Sequence, residues 1–257
     1  MRLLAIDACH VRGIRPRLTL VDMAEPSTTP RVVLVHLWGV RPTGVPGAVA
    51  RMGTHRTLLR RERGLRFAKL IGTGNGRTFT VRDADPLHWG LVSVWEDDDA
   101  ADSFTATSPI PQSWSRIATE TFTVRMRPIS SRGQWARRSP FGDPRPRPTS
   151  GPVASITRAR ISARKAVSFW RAVPPVSADL RRVAGLRLAV GIGEAPIGLQ
   201  GTFSVWESGA ALNDFAHRRE PHIDAVRRTA TEGWYAEELF ARFEVLSVHG
   251  TFAGRTI

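Results

Sequence analysis

The groups in this sequence that could do chemistry are few. There are seven histidines (His10, His36, His55, His88, His217, His222 and His249), one cysteine, and arginines and carboxylates that fall close together at several points. No two histidines have the His-Glu-x-x-His spacing of a zinc site, and no Ser, His and Asp follow in an order that suggests a hydrolase triad. The single cysteine, Cys9, excludes an internal disulfide and a cysteine-held iron–sulfur cluster. Gly72-Thr73-Gly74-Asn75-Gly76 lacks the Lys-Ser/Thr of a phosphate loop, and the strand-like TFTVRD follows it where a helix would be needed. Asn75-Gly76 reads instead as a type I′ hairpin turn. The run Glu96-Asp97-Asp98-Asp99 precedes a helical stretch, where carboxylates favour the positive end of the helix dipole over a metal.

Which of the remaining polar residues share a site depends on the elements that carry them, and those elements occur twice. Ser93-Val94-Trp95-Glu96 returns as Ser204-Val205-Trp206-Glu207, 111 residues later, and Phe104 matches Phe215 at the same offset. Pro109, Ala118, Thr119 and Glu120 match Pro221, Ala230, Thr231 and Glu232 at 112. Gly64-Leu65-Arg66 and Ile71-Gly72 match Gly185-Leu186-Arg187 and Ile192-Gly193 at 121, and Gly133 matches Gly250 at 117. Such ordered matches with small shifts are the mark of a duplication.

Each copy opens with a β-branched run, 32–38 or 153–161, that reads as a strand. Helical stretches follow over 46–62 and 163–182, the second with Ala166, Phe169, Trp170 and Val173 at i, i+3, i+4 and i+7. Strand pairs come next (65–71 with 89–95, and 186–192 with 201–206), then helices over 97–119 and 208–233, then strands over 121–129 and 240–248. The order is βαββαβ twice. The fold class is therefore α+β: a tandem duplication of a ferredoxin-like unit, packing as a dimeric-α+β-barrel-like pair with room between sheet and helices in either half. Residues 1–30 form an N-terminal extension, 31–136 the first repeat, 137–152 a Pro/Arg-rich linker with five prolines, and 153–257 the second repeat.

In this register His222 stands where the first repeat has Ile110. An apolar counterpart points the position inward, so the second repeat projects an imidazole into its interior, as a hydrogen-bonded core histidine or as the axial ligand of a metal. With Pro221 in the first turn, His222 shares a stripe with Ala225, Val226 and Thr229. Phe169 and Trp170, with Phe203 and Trp206 on the third strand, would line the space opposite, as core or as pocket wall. Arg158 and Arg160 alternate about Ala159 and so share one strand face. An internal face would need an anionic group to meet them; a solvated face would not. Glu194 and Gln200 flank the second hairpin.

The net charge is +14, from 37 basic and 23 acidic residues. Two of the 37 are lysines, Lys69 and Lys165, leaving 35 arginines, scattered singly or in pairs. Scatter of this kind argues against nucleic acid and suits attraction to an anionic membrane surface better. With 42% hydrophobic and 23% charged residues the composition is that of a soluble globular protein. No run approaches 18 uncharged apolar residues, and MRLLAIDACHVRGIRPR lacks the apolar core of a secretory signal. The expected location is the cytoplasm, peripherally at the inner face of the membrane.

Several segments, in order, resemble the bacterial spheroidene monooxygenase family of carotenoid biosynthesis: FAKLIGTGNGRTF (67–79), SSRGQWARRSPF (130–141), GPVASITRARI (151–161), SFWRAVP (168–174), LAVGIGEAPIGLQGTFSVWES (188–208), PHIDAV (221–226) and GWYAEELFARFEVLSVHGTFAG (233–254). The likeness spans residues 31–255. It implies an oxygenase that places oxygen at the end of an apolar polyene to give a ketone, using dioxygen and a donor such as ferredoxin. The family is similar in architecture to the haem-containing barrels of aldoxime dehydratase and chlorite dismutase, where a histidine on a helix of the C-terminal half binds the iron. That implies a non-covalent haem b with His222 as its iron ligand and Val226 beside it. Arg158 is then expected to stabilise negative charge on bound oxygen, and Arg160 to pair with a propionate. Trp170, Phe203 and Trp206 would shape an apolar slot, with Glu194 or Gln200 hydrogen-bonding near it. A homodimer would also suit the architecture. Two other readings stay open: a haem enzyme of this barrel acting on a small nitrogenous substrate, and a basic, non-catalytic barrel that binds haem or lipid.

Overall fold

A computed structural model of the chain describes residue 30 and residues 32–76, 81–161, 163–165, 179–180, 183–194, 201–218 and 234–257. The first repeat supplies β1 (Val32–Val40), β2 (Leu65–Gly74), β3 (Ala84–Trp95) and β4 (Ala118–Gly133). The second supplies β5 (Val153–Ile161), β6 (Leu186–Gly193), β7 (Gly201–Trp206) and β8 (Tyr235–Gly250). All neighbours are antiparallel, and the order β1-β3-β2-β6-β7-β5-β8-β4 closes into one barrel. The two sheets thus join edge to edge. One seam is the long β4–β8 ladder; the other is short, with Gly72, Thr73 and Gly74 opposite Gly193, Ile192 and Gly191. Closure leaves neither sheet with an unpaired edge.

Period-two alternation sends Val33, Val35 and Leu37 of β1 into the barrel, where they meet Phe122, Val124, Ile156, Phe203, Val205 and Phe243 in one packed core. Residues of the other parity, Val32, Leu34, Trp38 and Val40, face outward and are buried beneath helices α1 (Val45–Leu59), α2 (Asp98–Thr107) and α3 (Pro109–Ser115). Cover on both faces explains why β1 is buried along its whole length and reads as an apolar run interrupted at His36. The helix expected over 97–119 is two helices. Pro109 has no N–H to continue the ladder and holds Ser108 extended (φ −66°, ψ 139°), and the Ser108 hydroxyl accepts the Ile110 N–H to start α3. Asp97 caps α2 by accepting the Ala100 N–H at 2.8 Å, the role expected of the acidic run. The type I′ turn does not form: Gly76 has φ +61° but Asn75 does not share the left-handed region, and 81–83 is a 3-10 turn. In the second repeat, α4 (Gly209–Arg218) packs Leu212 and Phe215 on Val153 and Trp206. Most of the stretch 163–182, and the rest of the expected helix over 208–233, lie outside the described residues.

The repeats correspond closely in detail. Trp95 Nε1 donates to Ser93 Oγ (3.0 Å) and Trp206 Nε1 to Ser204 Oγ (2.9 Å). β4 and β8 correspond at the Gly133/Gly250 offset of 117, which pairs Ala118, Thr119 and Glu120 with Tyr235, Ala236 and Glu237 and corrects the matches to Ala230, Thr231 and Glu232. Gly133 and Gly250 sit at φ +90° and +84°, and a Cβ there would lie 2.2 Å and 1.9 Å from the carbonyl oxygens of Glu238 and Thr121. Only glycine makes this turn. Beyond each, a short tail folds back over its barrel end through the bridges Trp135–Arg138 and Phe252–Arg255. The end of the first repeat and the start of the linker are therefore part of the core, with Trp135 and Phe141 fully buried inside the barrel.

Candidate functional site

At the barrel end closed by Trp135, β5 turns Arg158 inward, 5% exposed. Its Nη1 donates to Glu237 Oε1 and its Nη2 to Glu194 Oε1 at 2.9 Å, and the guanidinium lies 5.6 Å from the Trp135 ring centroid. Glu194 also accepts from Lys69 Nζ and Trp135 Nε1, both at 2.5 Å. Glu237 accepts the backbone N–H groups of Ala136 (3.1 Å) and Arg137 (2.8 Å). Burial acts to raise both carboxyls, but hydrogen bonds outweigh it: from Lys69 and Trp135 on Glu194, and from the Arg137 N–H and Arg158 on Glu237. Both lie below the usual carboxylate range. Two cations meet two carboxylates, so the cluster is internally neutral. Only Arg158 Nε is left buried without a partner. A small cleft above it is lined by Ile71, Ile192 and Gly193.

Glu120, the counterpart of Glu237, does the same work at the other end. It accepts from Thr251 Oγ1 and from the N–H groups of Ala253 and Gly254. His88 bridges it to Asp85 (Nδ1 to Oδ2 2.7 Å, Nε2 to Glu120 Oε2 3.3 Å) and packs on Phe252. The hydrogen bond to Asp85 is the largest influence on His88 and raises its pKa.

The outer faces of the two sheets, the faces that carry the helices, differ far more. Strand register aligns them row by row. In the first repeat the rows are Leu34–Ser93–Ala68, His36–Leu91–Leu70 and Trp38–Trp89–Gly72. In the second they are Ser155–Ser204–Ala189 and Thr157–Thr202–Gly191, followed by Ala159 and Gly193. Leu34, His36, Leu91, Leu70 and Trp38 thus become Ser155, Thr157, Thr202, Gly191 and Ala159. The first face is a filled core: His36 is 3% exposed, stacked on Trp38, and held by burial down to about 4. On the second, the described strands carry smaller side chains at each of these positions, and Thr157 is exposed. Ile110, whose counterpart in the repeat is His222, is fully buried in that first filled layer.

The structure brings Arg158 and Glu194 together, but not as expected. The anionic groups that meet Arg158 are Glu194 and Glu237 of this chain, which corrects its assignment to bound oxygen. Arg160 lies exposed at the barrel rim, on the parity of Arg158 and away from the outer face. Phe203 belongs to the barrel interior while Trp206 faces α4, so the two do not line one slot. Trp170, Gln200, His222 and Val226 lie outside the described residues. Lys69, Trp135 and Glu237 were missed. The 117 offset pointed to Glu237, and the lone Lys in an arginine-rich first repeat marked position 69. Among the described residues no group of three or more His, Cys, Asp or Glu is placed to hold a metal ion.

No family model matches the sequence. Among curated proteins, the chain is 42% identical over 195 residues to a spheroidene monooxygenase of Rubrivivax gelatinosus, covering 76% of this chain and 74% of that one. It is 34% identical over 218 residues to the spheroidene monooxygenase of Rhodobacter capsulatus, covering 83% and 89%. Among solved structures, aldoxime dehydratase in complex with butyraldoxime shares the fold at a TM-score of 0.55 and 12% identity, covering 84% of this chain and 80% of that one. The identities and coverage on both sides place this chain in the spheroidene monooxygenase family.

Proposed function

We propose that this chain is a monooxygenase that inserts oxygen into a carotenoid, and that it does so with a haem held against the outer face of the second repeat. The observation that carries the haem reading is the cleared face. The rows that Leu34, His36, Leu70, Leu91 and Trp38 fill in the first repeat carry Ser155, Thr157, Gly191, Thr202 and Ala159 in the second. A flat, apolar group would take up that difference in bulk. The residues fit such a group: Ser155, Thr157, Thr202 and Gly191 give a floor with little relief, and Val153 with Trp206 closes one side.

His222 would hold the iron. In the repeat register it replaces Ile110, the residue that fills the equivalent layer of the first copy. When bound, haem supplies activation of dioxygen at an open coordination position. The chain's part is to exclude water with Val153, Trp206, Leu212 and Phe215, and to keep charge off the floor by turning Arg158 into the barrel. The packed barrel interior offers no room for a polyene, so the carotenoid end group approaches over the same outer face. Electrons come from a ferredoxin-type donor. The exposed arginines suit either that acidic partner or the anionic surface where the substrate dissolves. Among the described residues no helix is long and apolar enough to cross a membrane.

The test is the absorption spectrum of protein expressed with ample haem, oxidised and then reduced under carbon monoxide. A Soret band that shifts on reduction and CO binding is expected, and His222→Ala should lose or alter it while remaining folded. No band on isolation and none on haem titration would refute the reading.

A further inference from the structure

The outer face of the second repeat carries four hydroxyls in two rows, and the rows differ in what they are bound to. Ser155 and Ser204 hold each other (Oγ to Oγ 3.1 Å), and Ser204 also accepts the Trp206 indole N–H. In the next row Thr157 and Thr202 stand directly opposite in the β5–β7 register. Neither hydroxyl has a hydrogen-bond partner among the described residues. Directly opposed residues hold their Cβ atoms about 4.5–5.5 Å apart, so both hydroxyls can reach one small acceptor between and above them. Gly191, beside Thr202 on β6, has no side chain to cover them.

The first repeat supplies the comparison. Its residues at the two positions are His36 and Leu91, both buried beneath helices. The hydroxyl pair therefore exists only where the large side chains have been removed. Threonine is a common strand residue, but here two fall side by side on the cleared floor, both unengaged. The cation on the same strand, Arg158, is turned to the opposite face and already matched by Glu194 and Glu237.

We infer that Thr157 and Thr202 form a hydroxyl pair that hydrogen-bonds a small, uncharged ligand at the open face of the haem. The inference rests on the haem reading above. Two neutral donors suit a diatomic or similarly small dipolar ligand; a carboxylate or phosphate would call for a matched cation.

Carbon monoxide is the probe. A hydroxyl that donates to bound CO lowers its C–O stretching frequency, and valine keeps the shape of threonine while removing the donor. In the haem-loaded full-length protein, Thr157→Val and Thr202→Val are expected to move the C–O stretch to higher frequency. CO should also leave about fivefold faster, the effect of one ordinary hydrogen bond. Thr157→Ser should return the stretch towards that of the parent. Haem uptake with an unchanged stretch and release rate in both valine variants overturns this inference and leaves the functional reading standing. Protein that takes up no haem overturns both.

Discussion

Arg158→Met removes the cation at the centre of the barrel-end cluster while keeping a long side chain in place. Glu237, whose side chain is 8% exposed, loses its only charged partner among the described residues but keeps two backbone N–H donors. Glu194 keeps Lys69 and Trp135. Removing one member of a buried ion pair costs about 3–5 kcal/mol, and the donors that remain place this variant near 3 kcal/mol. For a chain of this size that corresponds to a fall in Tm of about 6–12 °C. Urea unfolding at pH 7 and a thermal scan would measure both. The effect should depend on pH in a definite direction. Both carboxyls are held below their ordinary range, so the stability they contribute is fully present above about pH 4.5 and is lost as pH falls through their folded values. The gap between parent and variant should therefore narrow towards acid pH. Because Arg158 faces the barrel interior, the spectrum and C–O stretch of the haem proposed for the outer face should not change. A loss below about 1 kcal/mol at neutral pH, or a changed spectrum at unchanged stability, would refute the assignment of Arg158 to the barrel end.

Two further outcomes follow from the same geometry. His88 is raised by its bond to Asp85, so its clasp on the C-terminal tail is at full strength below about pH 6.5 and weakens as pH rises through the raised value. Tm measured from pH 6 to 9 should fall more steeply for the parent than for His88→Gln, and equal slopes in the two proteins would count against the clasp. Ala159→Trp and Gly191→Leu restore the bulk of the first repeat to the second, matching Trp38 and Leu70. Each should leave the far-ultraviolet circular dichroism unchanged and abolish uptake in a haem titration; normal uptake would show that the cleared floor is not the haem site.

Much of this protein is written in short-range sequence signals. The duplication, the β-branched strands, the Asp97 cap and the inward position of Ile110 follow from local patterns, and so does the replacement of Ile110 by His222. Period two alone separates Phe203 from Trp206, since residues an odd number apart on a strand face opposite ways. Ring closure belonged to the tertiary structure, because edge-to-edge pairing of β2 with β6 and β4 with β8 joins residues more than 100 apart and leaves no local trace. The same closure decided the role of Arg158: its face was predictable, but its partners come from the ends of β6 and β8, and that cluster continues to Lys69 on β2. It also decided which outer face carries the large side chains. A Ser, a Gly or a pair of Thr on a strand carries no signal in isolation. They become a floor only when strand register sets them against Leu34, His36, Leu70, Leu91 and Trp38 of the other copy, because whether a site is filled or open is a property of residues packed across strands, not along them.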